Sequence, residues 1–372
     1  VARLHERRFQ AVRKLPPGSF AFVMATGIVS TGVFYFGPSW LSRALLVIAA
    51  TGLVILGVAL IMRLVRHFPL VLADGKAAER AFGFFTITAG LDVLGVRLYL
   101  AGHPVATAVL GGIAAPIWLL LTYAVPAGLL LTGATDSVLG GINGTWLLWV
   151  VATQSLSIAA SVMTLSWPSR ANVFAPFAVG LWSVGIVLYL VLVSLILLRW
   201  LTVPVTPETL GPPYWILMGA TAITVLAGAR IVAIPAAVEV RAAAAPAGED
   251  LSLVLWLTWW IPLLVVPGLW RHLRQHWPLV SETGLWSVVF PLGMYSVATL
   301  AFGKAAHLSF MNPIADVMVW VAVAAWAVFV ALVRRAMAAP APARTGTAGP
   351  VRGLDGAHQL AGEASPVGTG DS

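Results

Sequence analysis

The 372-residue chain is 59% hydrophobic and 10% charged, contains no cysteine, and carries a formal net charge of +8; its mean hydropathy is +0.92. A water-soluble domain needs roughly 25% charged residues, so this composition excludes an ordinary soluble enzyme and indicates a polytopic membrane protein. Without cysteine there is no disulfide framework, thiolate metal site or cysteine nucleophile, and in a membrane chain a basic excess reports topology before it reports a nucleic-acid partner.

About 20 apolar residues cross a bilayer core of about 30 Å as a helix. A basic segment, 1–16, is followed by ten stretches of that length, at about 18–36, 43–64, 81–100, 104–130, 145–166, 173–198, 213–233, 251–270, 284–303 and 313–335. The first is a full span without a small-residue cleavage signature, so no removable signal peptide is expected. Gly37-Pro38, Asp74-Gly75, Gly102-His103-Pro104, Gly140-Gly141, Trp167-Pro168 and Gly211-Pro212-Pro213 break the chain between spans. The runs are apolar all round and longer than the roughly ten-residue alternating strands of a membrane barrel. The predicted fold is therefore an all-α integral membrane protein with one ten-helix domain over 17–335. Residues 336–372 are rich in Pro, Gly, Ala and Thr without an apolar period, which predicts a disordered cytoplasmic tail.

Ten spans place both termini on one side. Of the 22 basic residues, 16 then fall in the loops and tails of that side and six (Arg43, Arg97, Arg170, Arg230, Arg241 and Lys304) on the other, so the positive-inside tendency puts both termini in the cytoplasm, as expected of a plasma-membrane protein. The odd-numbered spans start near residues 17, 81, 145, 212 and 284, a nearly constant interval that suggests a helical hairpin repeated five times. Odd spans contain 19 Ser, Thr and Gln residues and even spans seven. Hydroxyls in hydrocarbon need partners or a wet cavity, so odd spans either face a central path or use these groups to bind neighbouring helices.

Four segments carry a resemblance: PPGSFAFVMATGIVSTG (Pro16 to Gly32), INGTWLLWVVATQSLS (Ile142 to Ser157), PPYWILMGATAITVLAGA (Pro212 to Ala229) and LWSVVFPLGMYSVAT (Leu285 to Thr299). In these the chain resembles the tellurite-resistance/dicarboxylate transporter family, which includes malate and sulfite transporters and slow anion channels, from about Pro16 to Arg335. The resemblance implies ten helices as five hairpins, odd helices lining a central pore, and a homotrimer with one pore per subunit. It also implies a gating phenylalanine on the ninth helix, which by its place in VVFPLG is Phe290.

Proline after Phe290 loosens the helix and allows the ring to be aimed into a lumen; the alternative is a packing phenylalanine. Arg97, Arg230 and Lys304, near the outer ends of odd spans, form a candidate basic vestibule that would attract anions, or they snorkel to headgroups. Asp92 is the one acid deep in a span, and it is a proton-coupling group, a structural partner of Arg97 or Arg230, or part of the lining of the cytoplasmic half of the path. Candidate pore-lining residues are Thr26, Ser30, Thr88, Gln154, Ser157, Thr221, Thr224 and Gly293, each with packing as the alternative.

No catalytic residue, cofactor or metal site is expected. His272 and His276 have ligand spacing, but Leu273, Arg274 and Gln275 between them do not make an HExxH motif, and no P-loop, Rossmann or GxSxG pattern occurs. The expected partners are the lipid bilayer and small inorganic or organic anions, not nucleic acid. The expected function is anion passage through a pore gated by Phe290, with proton-coupled carriage or export of dicarboxylate or sulfite as the alternative.

Overall fold

The structure, a computed structural model, describes residues 10–131, 138–204, 206, 209–234, 260–266, 268–274 and 283–338. Residues 1–9 of the expected basic segment, residues 251–259 and 267 of the expected eighth span, Arg241, His276 and the tail from 339 lie outside the described residues. Among those described, the regular elements are helices and none is a strand. The long helices are α1 (Ala21–Phe36), α2 (Ser39–Arg66), α3 (Phe85–Leu100), α4 (Pro104–Leu131), α5 (Leu148–Ser166), α6 (Ala171–Thr202) and α7 (Ile216–Val232), then α9 (Trp286–Ala305) and α10 (Met311–Ala338). Residues 260–266, here α8, are a described helical piece of the expected eighth span. Nine helices among the described residues are long and apolar enough to cross a membrane.

Two concentric layers result. The helices α1, α3, α5, α7 and α9 contact one another in that order and α9 closes on α1, giving a ring of five. Each of α2, α4, α6 and α10 packs outside this ring, against its hairpin partner and the next inner helix. Over an apolar 18-residue window of each span, 78–89% of residues are buried in the inner spans and 11–39% in the outer ones. Sequence explains the division: outer helices expose Leu, Val and Ile, such as Val54, Leu120 and Leu190, whose burial in lipid costs nothing. The inner helices are tied down by polar groups.

Each inner helix opens with a short 3₁₀ turn, at Pro17–Phe20, Ala81–Phe84, Gly144–Leu147, Pro212–Trp215 and Thr283–Leu285. Proline suits a first turn because its missing N–H would have had no intrahelical partner. The five turns touch in sequence and close into their own ring at one end of the bundle, hereafter the base; the other end is the mouth. Small residues make this possible. A Cβ at Gly83 would lie 2.9 Å from the amide nitrogen of Gly18, and one at Gly144 would overlap the carbonyl of Pro213.

The repeat extends to the turns at the mouth. Gly102, with φ +88°, ends α3, and His307, with φ 57°, ends α9. In each turn the residue that follows donates its N–H to a carbonyl five residues back, His103 to Leu98 (3.0 Å) and Leu308 to Gly303 (2.8 Å), which is the six-to-one bond of a left-handed C-terminal cap.

Tryptophans join the layers. The indole N–H of Trp118 in α4 donates to Thr153 Oγ1 in α5 at 2.9 Å, that of Trp182 in α6 to the Thr224 carbonyl in α7 at 3.0 Å, and that of Trp326 in α10 to Thr26 Oγ1 in α1 at 3.0 Å. Thus three outer helices each donate a hydrogen bond to the next inner helix. At the base, the buried carboxylate of Asp74 pairs with Arg63 at 2.6 Å and Arg80 at 2.9 Å, fixing the connection from α2 to α3.

Candidate anion path

A cavity of about 20 Å³ lies on the axis of the inner ring, and its walls come from all five inner helices: Ile28 and Thr31 of α1, Asp92, Val93 and Val96 of α3, Ser155 and Ile158 of α5, Ile223, Leu226 and Arg230 of α7, and Met294 and Val297 of α9. No outer helix contributes. Its volume is room for about one water molecule. Toward the mouth a second cavity, of about 250 Å³, is lined by Tyr35, Ala229, Arg230, Ala233, Val297, Leu300, Ala301, Lys304 and Ala305. Arg230 and Val297 line both cavities and therefore stand between them.

Residues 294, 297, 301 and 304 of α9 recur at helical spacing and share one face. Phe290, one turn nearer the base, falls on that same face and is fully buried. On α7 the same reasoning aligns Gly219 with Ile223, Leu226 and Arg230. The two meet: a Cβ at Gly219 would lie 3.2 Å from Cε1 of Phe290 and 2.9 Å from Cγ of Pro291, so the ring occupies the space that this glycine leaves. Pro291 lies inside α9 and removes one backbone donor beside the ring.

The polar candidates divide differently from expectation. Arg230 and Lys304 come together at the mouth, with Arg230 Nη2 donating to Tyr35 OH at 3.3 Å and Lys304 Nζ 5.2 Å from the Tyr35 ring centre. Arg97 does not join them. Its side chain is buried and turned into the α1–α2 hairpin, where Nε donates to Ser30 Oγ at 3.0 Å and Nη2 to Ser42 Oγ at 2.7 Å, with the guanidinium 4.8 Å above the Phe34 ring. The basic mouth therefore has two members rather than three.

Most of the hydroxyl and amide candidates likewise face away from the axis. Thr26 accepts from Trp326 of α10, and Ser30 donates to the Ser42 carbonyl of α2 at 2.7 Å. Three more meet α6: Gln154 Nε2 donates to the Trp182 carbonyl at 3.2 Å, Ser157 donates to the Ala178 carbonyl at 2.7 Å, and Thr221 Oγ1, which donates to the Leu217 carbonyl of its own helix at 2.9 Å, accepts from Tyr189 OH at 2.7 Å. Thr224 donates to the Ala220 carbonyl of its own helix at 2.7 Å, Gly293 packs against Ile28 and Val29 of α1, and Thr88 Oγ1 is buried without a hydrogen-bond partner among the described residues. The physical reason for the bonded ones is that a buried hydroxyl is stabilised by an acceptor, and carbonyls of the outer helices are within reach.

Asp92 does line the axial cavity, in ion pair with neither Arg97 nor Arg230. It is 1% exposed, and its Oδ2 lies 2.8 Å from Ser155 Oγ. Sequence reasoning missed Thr31, Tyr35 and the apolar wall. Counting back and forth from Phe290 in steps of four and three would have found Met294 and Val297.

Comparison with known proteins agrees with the architecture. Residues 14–333 match the family model described as voltage-dependent anion channel. The chain is 46% identical, over 151 residues, to an uncharacterized membrane protein of Mycobacterium tuberculosis found in two strains, covering 39% of this chain and 75% of the relative. It is 22% identical over 342 residues to an uncharacterized transporter of Methanocaldococcus jannaschii, covering 87% of this chain and 93% of the relative.

Proposed function

Because the chain belongs to the voltage-dependent anion channel family, we propose that it passes small anions along the axis of its five inner helices, with Phe290 as the obstruction. The observation that carries this reading is the series of features on one line: the basic mouth cavity, the small axial cavity walled only by inner helices, and the Phe290 ring on the same face of α9. An anion meets Arg230 and Lys304 first, where two positive charges raise its local concentration. It then enters a mainly apolar constriction that holds back ions because they keep their hydration poorly there. Passage requires the Phe290 ring to turn or α9 to bend at Pro291.

The same reading assigns the base, with its basic loops, to the cytoplasm, and the mouth to the outside of the plasma membrane. It takes the functional unit as a homotrimer with one path per subunit, the exposed apolar outer helices supplying the contacts between subunits.

Purified protein in liposomes tests the proposal. Phe290→Ala is expected to raise the chloride or nitrate flux driven by an anion gradient about tenfold or more over the unsubstituted chain, because removing a ring from a hydrophobic constriction lets water and ions enter. Equal flux in both, at equal amounts of folded protein, contradicts it. A second reading, proton-coupled carriage or export of dicarboxylate or sulfite, is favoured by one observation, the carboxyl of Asp92 in the cavity wall.

A further inference from the structure

The hydrogens around Asp92 cannot be arranged freely. Ser155 Oγ lies 2.8 Å from Asp92 Oδ2 and also 2.8 Å from the carbonyl oxygen of Ala152, one turn earlier on its own helix. A hydroxyl carries one hydrogen and two lone pairs, and a carbonyl is only an acceptor. If Ser155 gives its hydrogen to Ala152, the second contact is a hydrogen bond only when Asp92 carries a proton and donates it to Ser155 Oγ. The alternative, an ionised Asp92 taking the single Ser155 hydrogen, leaves two oxygens in repulsive contact at Ala152 and an anionic Oδ1 that no group among the described residues donates to.

Among the described residues no other side chain donates a hydrogen bond to Asp92. Against Asp92, α4 presents Gly111, whose Cβ would lie 3.8 Å from Oδ1, and α5 presents Ser155. From α1 the cavity receives Ile28 and Thr31, and from α9 Met294 and Val297. Arg230 of α7 is the one other charged group in the cavity wall among the described residues and forms no ion pair with Asp92. Tyr35 and Lys304 stand beyond it in the mouth, and Arg97, on the same helix as Asp92, is engaged by Ser30 and Ser42.

We propose that Asp92 makes anion passage proton-dependent: the axial cavity admits an anion only while Asp92 holds its proton, which the carboxyl can then turn from Ser155 to the anion as a hydrogen bond. The proton stays on the carboxyl throughout; no bond other than a hydrogen bond is exchanged. Ionised, the same group places a negative charge in the wall of a cavity the size of one water molecule and excludes anions. This deepens the pore reading and rests on it.

The test uses full-length protein in liposomes carrying Phe290→Ala, with chloride flux driven by a potassium diffusion potential at equal pH on both sides. Flux is expected to fall about tenfold or more from mildly acidic to alkaline buffer, while adding Asp92→Asn keeps it at the acidic level at every pH. A pH-independent flux with Asp92 present, or an unchanged pH dependence in Asp92→Asn, overturns the proposal. Infrared spectroscopy reads the proton without any flux and in wild type itself: a protonated-carboxyl C=O band at neutral pH, shifted in Asp92→Glu, is expected, and its absence overturns the proposal even if Asp92→Asn does not fold. Absence of anion flux from every variant, with that band present, instead overturns the pore reading, and with it any control by Asp92.

Discussion

At Arg97 a buried guanidinium is held by two serine hydroxyls and the face of Phe34 rather than by a carboxylate. Ser30 and Ser42 also bond each other's carbonyls, at 2.7 and 2.8 Å, so the arginine completes a cluster that joins α3 to the first hairpin. Removing it should weaken that joint without touching the path. Arg97→Ala is expected to lower stability by about 2 kcal/mol, the scale of hydrogen bonds to a charged group, measurable by denaturant unfolding in detergent, while anion preference in liposomes stays unchanged. Arg230 and Lys304 behave oppositely. Their joint replacement by glutamate should cut anion uptake several-fold at low ionic strength, with the deficit shrinking as salt screens the mouth beyond a Debye length of about 10 Å at 0.1 M; the same deficit at high salt would count against a vestibule. These three residues looked alike in the sequence, each a lone cation near the end of an odd span. Which way a side chain turns depends on partners such as Ser42, far along the chain, and no spacing rule supplies them.

At the scale of elements, the helices and their pairing were legible because hydrophobic length and turn residues act locally. Expected odd-span starts near 17, 81, 145, 212 and 284 meet 3₁₀ turns beginning at 17, 81, 144, 212 and 283. The inward face of each helix was not legible. An inner helix is surrounded by protein on every side, so its apolar pattern has no contrast at a 3.6-residue period. Hence the surplus of Ser, Thr and Gln on odd spans left open whether these groups face the axis or a neighbouring helix, and Gln154, Ser157 and Thr221 turn to α6. The turn ring is itself testable. Gly144 opposes the backbone of Pro213, which cannot rotate out of the way, so Gly144→Ala should destabilise the fold by about 2–3 kcal/mol through overpacking, whereas Gly57→Ala, in open space on α2, should leave thermal stability in detergent unchanged or slightly raised.

For the whole molecule, the five-fold arrangement sets the chemistry of the proposed path. Five helices in a ring enclose a narrow axis, their first turns lock together at the base, and the outer helices take the hydrogen bonds that the inner ones need, leaving the axis mostly apolar. In the pore reading proposed above, selection for anions falls to a few groups, Arg230 and Lys304 at the mouth and Asp92 with Ser155 inside. Since the chain has no cysteine, a single introduced thiol reports its own position without background. The most direct measurement is chloride flux in Phe290→Ala liposomes after adding Val297→Cys or, separately, Thr26→Cys, before and after treatment with a bulky charged thiol reagent. An axial path predicts that modification at position 297 stops the flux and that treatment of the Thr26→Cys protein, whose thiol faces α10, changes nothing. Unimpeded flux through protein shown to be modified at position 297 would contradict it.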